Sequence, residues 1–169
     1  MRATILGLTA ALAITGQAAA GQPAGPTAPQ RPRVYTSAAE VQTLMAQAKA
    51  EHTNQANIGK NLLSLAPYTA TLENRFSVGP AAVHENEAEI FYVVDGSGTL
   101  VTGGTLVNPT RTNAENISGT AVEGGVSQAV AKGDFIVVPE GTPHWYSQIN
   151  GALILMSLHV PRGAAAAKP

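Results

Sequence analysis

The sequence holds four histidines, His52, His84, His144 and His159, and no cysteine. Disulfides and thiolate chemistry are excluded, so any metal must be held by nitrogen and oxygen. Two of the histidines sit in segments that share a design: a strand, a turn punctuated by Gly or Pro, and a histidine near a carboxylate or other acceptor. The first segment runs from Gly79 to Gly96. Alternate strand residues share a face, so Ala82 and His84 look one way. After a turn around Asn86 to Ala88, Glu89, Phe91 and Val93 share a face of the returning strand. Such a hairpin can bring His84 and Glu89 together across the ladder, because opposed side chains sit roughly 5 Å apart. The second segment runs from Gly133 to Gln148, where an apolar strand enters a tight turn built by Pro139 and Gly141 and leaves through His144. His144, Tyr146 and Gln148 then share a face.

These segments need a frame to position them, and the rest of the chain supplies one. At 169 residues there is room for one domain with a substantial core. A net charge of -1 with 12% charged residues leaves no basic face for nucleic acid and no acidic tail. Met1-Arg2, an apolar run from Ile5 to about Ile14 and the small residues Ala18-Ala19-Ala20 read as a secretory signal peptide over residues 1–20. The run is well short of the roughly 20 residues that span a bilayer. An exported chain, periplasmic or secreted, with no membrane span after cleavage is therefore expected. Residues 21–35, with Pro23, Pro26, Pro29 and Pro32, read as a disordered linker.

Residues 36–162 carry the domain. Ser37-Ala38-Ala39-Glu40 forms a capping box, and Val41, Leu44, Met45 and Ala48 make one stripe, which predicts a helix from about Ala38 to His52. His52 is expected on its exposed side. From Leu62 the pattern changes to short apolar or alternating runs cut by Gly, Pro, Asn and Asp, an all-β pattern. Nine strands are expected: Leu62 to Leu65, Tyr68 to Phe76, Ala81 to Glu85, Ile90 to Val94, Gly98 to Thr102, Gly125 to Ala131, Asp134 to Val138, His144 to Gln148 and Leu153 to Val160. Their close spacing suggests a sandwich or a jelly-roll barrel. Asn108 to Gly124, polar and without period, reads as a long loop at one barrel mouth. Residues 163–169 read as a disordered tail.

The second segment has the form G-x5-P-x-G-x2-H-x3-Q at Gly133, Pro139, Gly141, His144 and Gln148. It resembles the second cupin motif, with Gln148 where that motif usually has Asn. The first has the form H-x4-E-x6-G at His84, Glu89 and Gly96 and resembles the second half of the first cupin motif. The Gly-Pro-Gly-His pattern alone should arise by chance in about one chain in a thousand of this size. The resemblance implies an antiparallel jelly-roll β-barrel with a short N-terminal helix. It also implies one divalent metal, iron(II), manganese, nickel or zinc, held by His84, Glu89 and His144. Cupin centres typically have a further histidine two residues before the second, and that position is Ala82 here. Three ligands remain, a two-histidine, one-carboxylate set that leaves coordination sites open.

Around these ligands, Asn86, Tyr92, Tyr146 and Gln148 are the candidates for supporting or substrate contacts. Asn86 is also a turn former, and Gln148 a hydrogen-bond partner that orients a ligand. Tyr92 and Tyr146 also read as barrel packing. His159 shares a face with Leu153, Leu155 and Ser157 and reads as structural. The expected function is a metal-dependent cupin enzyme acting on a small oxygenated molecule, by oxygenase or by lyase or isomerase chemistry. Two alternatives stand beside it: a periplasmic module that binds or senses a small molecule without turnover, and a structural cupin whose missing histidine marks a dead site. The resemblance further implies a homodimer.

Overall fold

The computed structural model describes residues 32–52 and 57–163. The predicted signal peptide, most of the predicted linker and the tail from residue 164 lie outside the described residues. Among the described residues no helix is long and apolar enough to cross a membrane. Among the described residues the architecture is mostly antiparallel strand with a single helix, a jelly-roll barrel.

The helix, α1 (Ala38–Glu51), starts as its capping box dictates, with the Ser37 side chain accepting the Glu40 backbone N–H at 3.2 Å. Contacts to the sheet begin earlier than the predicted domain start. Arg33 makes a backbone bridge to Ser64, and the Thr36 hydroxyl donates to the Leu62 carbonyl.

Among the described residues eleven strands follow: β1 (Ile58–Leu65), β2 (Tyr68–Arg75), β3 (Ala81–His84), β4 (Glu87–Thr102), β5 (Thr105–Val107), β6 (Thr110–Arg111), β7 (Asn116–Gly119), β8 (Ala121–Glu123), β9 (Val126–Ala131), β10 (Phe135–Val138) and β11 (His144–Pro161). Two differences from the sequence reading matter. The segment from Asn108 to Gly124 is not an unstructured loop: β6 and β7 extend the sheet beside β3, and β8 pairs with β5. The turn-rich polar composition hid strands only two to four residues long, too short for a period to show.

The second difference sets the shape of the barrel. Four predicted strands are two long ones, β4 and β11, which pair from one end to the other with a register shift between Ile149 and Leu153. Each bends at a glycine with positive φ, Gly96 at 81° and Gly151 at 78°. The bend divides the sheet into two arms. One runs β1-β2-β11-β4-β10 through the halves Leu153–Pro161 and Glu87–Asp95. The other runs β6-β7-β3-β11-β4-β9 through the halves His144–Ile149 and Gly98–Thr102.

The arms close on Phe91, Val93, Leu153 and Leu155 from the first and Leu100, Val130 and Tyr146 from the second, one buried cluster that also takes in Val138. Each large side chain buried there contributes about 1.5–3 kcal/mol. Outside the first arm, α1 lays Val41 against Leu62, Ala70 and Leu72. Outside the second, the β5–β8 ribbon covers Ala81, Val83 and Val101 with Leu106 and Val122. The barrel is thus walled on both sides by packed layers; Glu89, His144 and Ser157 are buried polar residues, and the Arg75 guanidinium lies 4.8 Å over the Tyr146 ring.

Gly96 is the tightest point of this design. A Cβ there would lie 2.0 Å from the Ala152 carbonyl oxygen, on a backbone that L residues rarely adopt. Gly96→Ala is expected to lower unfolding free energy by at least about 2 kcal/mol, from strain and displacement of the facing strand. Urea denaturation reads this directly, and an unchanged midpoint would show that the corner does not depend on the glycine.

Candidate metal centre

His84 ends β3, and the two-residue turn after it starts β4, so Glu89 returns on the facing arm. The Gly141 N–H donates to the His84 carbonyl at 2.7 Å and ties the Pro139–Gly141 turn to β3. That bond places His144, the first residue of β11, opposite Ala82. At the far end of β11, His159 lies opposite Glu89 in register. Three imidazoles from both arms therefore surround one carboxylate.

The distances are even. His84 Nε2 and His144 Nε2 stand 3.3 and 3.2 Å from Glu89 Oε2, and His159 Nε2 stands 3.3 Å from Glu89 Oε1. Glu89 is 3% exposed. The His84 ring lies 4.9 Å from that of His159, edge to face, and 5.3 Å from that of His144. His84, Glu89 and His159 each offer a ligand atom within 4.8 Å of the others, a group able to hold a metal ion.

The outer nitrogens decide what the inner ones can do. His84 Nδ1 is 2.7 Å from Asn116 Oδ1, His159 Nδ1 is 2.6 Å from Glu87 Oε1, and His144 Nδ1 is 3.2 Å from the Thr142 carbonyl. All three partners are acceptors, so each Nδ1 carries the proton and donates. Each neutral ring then turns an Nε2 lone pair toward Glu89. Lone pairs aimed at a carboxylate repel it, so the cluster is stable only with positive charge at its centre, supplied by protons on Nε2 or by a metal cation. The donor set of nitrogen and carboxylate oxygen, with every ring held from behind, fits a divalent first-row metal.

In the metal-free protein the protons must do this work. Burial opposes the Glu89 charge, but hydrogen bonds from His144, His159 and His84 outweigh it and hold the carboxyl far below its usual range. The Glu89 hydrogen bond, with Glu87 also near, raises His159 from 6.5 to about 9 against its burial. Burial also works against a charge on His84, and Glu89 and Asn116 more than offset it, so its pKa is raised.

The sequence candidates divide. His84, Glu89 and His144 come together, but not across a hairpin ladder: β3 pairs with β7 and β11 and not with β4, so His84 and Glu89 meet from facing arms. Tyr146 is buried in the barrel interior, its ring 5.6 Å from that of Phe91, which in turn lies 6.2 Å from that of His144. Tyr92 is away from the cluster: it alternates with Phe91 and Val93, so it lies on the outer face and is half exposed. Gln148 is exposed and donates to Asn150 Oδ1 rather than to any cluster residue. Asn86 is exposed in the turn, where its carbonyl accepts the Arg162 N–H. His159, read from the sequence as structural, stands in the cluster, and Glu87 and Asn116 support it. Their signal was present only in part. Ser157 and His159 are polar residues in a file otherwise filled by Leu153 and Leu155, and a polar residue in a buried file needs a partner. His52 is half-buried, stacked on Phe76 with ring centroids 3.9 Å apart, rather than exposed.

A family model described as Cupin matches residues 37–164. The chain belongs to the cupin family. No curated protein matches this cupin. Among solved structures it is similar to iron(II) HppE at 13% identity and TM-score 0.46, over 62% of this chain and 50% of that one. KdgF from Halomonas sp. matches at 20% identity and TM-score 0.46, over 62% and 78% of the two chains. A protein from Thermus thermophilus matches at 14% and 0.49, over 70% and 95%. The cupin thus spans about half the length of HppE.

The two pKa shifts predict how the metal-free cupin responds to pH. Glu89 is depressed, so its contribution is present above the usual carboxyl value of 4.5 and is lost as pH falls. His159 is raised, so its contribution is full below 6.5 and is lost as pH rises through about 9. Thermal unfolding in a chelating buffer should therefore show a plateau between pH 4.5 and 6.5 and a decline toward pH 9. A melting temperature that rises steadily across the interval from the ordinary histidine value to about 9 without metal would contradict this charge arrangement.

Proposed function

We propose that this cupin is a metal-dependent enzyme that converts a small oxygenated molecule, by oxygenase or by lyase or isomerase chemistry. The carrying observation is the convergence of Nε2 atoms on the buried Glu89, each ring held from behind in the tautomer that a metal ligand needs. Residues His84, Glu89 and His144 would hold the ion, with His159 beside them. Bound there, a divalent ion supplies Lewis acidity toward a substrate oxygen, and iron(II) adds access to dioxygen.

The chain's own contributions are binding, exclusion of water and placement of protons. Phe91 and Tyr146 form the wall behind His144, and an apolar wall strengthens charge interactions at the centre. Burial keeps the Tyr146 phenol protonated well above its usual range. Its hydroxyl has no hydrogen-bond partner among the described residues, as is also true of the buried Ser157 hydroxyl on the interior face. Both are free to meet a polar atom of a bound molecule. The Glu87 carboxylate holds a proton at His159 Nδ1. The signal-like residues 1–20 support a place of work outside the cytoplasm.

Protein supplied with iron(II), manganese, nickel or zinc is expected to retain about one ion per chain, and His144→Ala to lose at least tenfold in affinity. Loaded protein incubated with hydroxy acids, sugars and aromatic acids should form product detectable by mass spectrometry. Saturable binding without turnover across such a panel would favour a sensing module. No bound metal, together with no effect of His144→Ala, would end the metal reading.

A further inference from the structure

We propose that His159 takes over the ligand position that Ala82 leaves empty, so that the centre is built from both ends of β11, and that Glu87 positions His159 for that role. The inference deepens the metal reading above and rests on it.

Ala82 lies two residues before His84 on the same face of β3 and directly opposite His144. A side chain there faces the cluster, but a methyl group has no donor atom. The cupin motif that this segment resembles has a histidine at this position, and here there is none. His159 meets the same carboxylate from the facing arm. It addresses Oε1, whereas His84 and His144 both address Oε2, so it completes the set around Glu89 without crowding them. Its ring stands at 86° to that of His84, which lets both Nε2 atoms aim at one point from different sides.

His159 is also held differently from its neighbours. His84 and His144 donate to neutral oxygens, an amide and a backbone carbonyl, while His159 donates to the Glu87 carboxylate at 2.6 Å. Glu87 also lies 3.7 Å from His84 Nδ1, between the two rings. A carboxylate behind an imidazole fixes its orientation and makes its other nitrogen a stronger donor. A merely structural histidine would need one acceptor; His159 has a carboxylate on each nitrogen, one of them nearly fully buried and shared with two other rings.

The exchange can be tested on the full chain by titrating zinc(II) calorimetrically into wild type, His159→Ala, Glu87→Gln and the double variant Ala82→His/His159→Ala. His159→Ala should bind at least about tenfold more weakly, Glu87→Gln about tenfold, and the double variant should recover most of the loss. Metal-free thermal melts of each variant separate a damaged fold from a lost ligand. Wild-type affinity in His159→Ala would overturn the ligand role, and wild-type affinity in Glu87→Gln would overturn its positioning. A His159→Ala loss that Ala82→His does not recover would overturn the exchange. Failure of wild type itself to bind any divalent ion is a different result, and it would remove the metal reading as a whole.

Discussion

Three imidazole nitrogens point at one buried carboxylate while their opposite nitrogens are tied to acceptors, and this electrostatic demand organises the structure. Nε2 lone pairs and a carboxylate cannot share a dry space unless positive charge lies between them. The metal-free chain meets the demand with protons, which is why Glu89 is held acidic and His159 basic. A divalent cation meets it with more charge and a fixed geometry. The same arrangement that makes an empty centre uneasy makes a filled one favourable.

The two bent strands are the structural answer to that demand. A flat sheet could present His84 and Glu89 on neighbouring strands, but it could not close a ring of donors around them. The bends at Gly96 and Gly151 let β4 and β11 each serve two arms. One half of β11 delivers His144 beside β3, and the other delivers His159 beside Glu89. An ion bound there would cross-link β3, β4 and both ends of β11. The buried cluster between the arms holds them together in its absence.

Much of this was legible in the sequence. The helix could be read from its cap and stripe, and the core strands from alternation. His84, Glu89 and His144 could be read from turn spacing and from the resemblance those turns carry. What could not be read depended on long-range register. Nothing local links His159 to Glu89, far back along the chain, until β11 is known to run on through its bend. Asn116 was hidden in a segment whose strands are too short to show a period, yet pairing of β7 with β3 sets it against His84. Tyr92 was misplaced for a simpler reason: it is one residue from Phe91, and a single step along a strand reverses the face. The substitution at Ala82 is visible in the sequence, but its compensation is visible only in three dimensions.

The most direct test of this account is a crystal structure of metal-supplemented protein with anomalous data at the metal edge. The account predicts a single strong peak among Glu89 and the Nε2 atoms of His84, His144 and His159, with all four residues within coordination distance. No peak at Glu89 after supplementation, or an ion held by His84, Glu89 and His144 with His159 turned away, would contradict it.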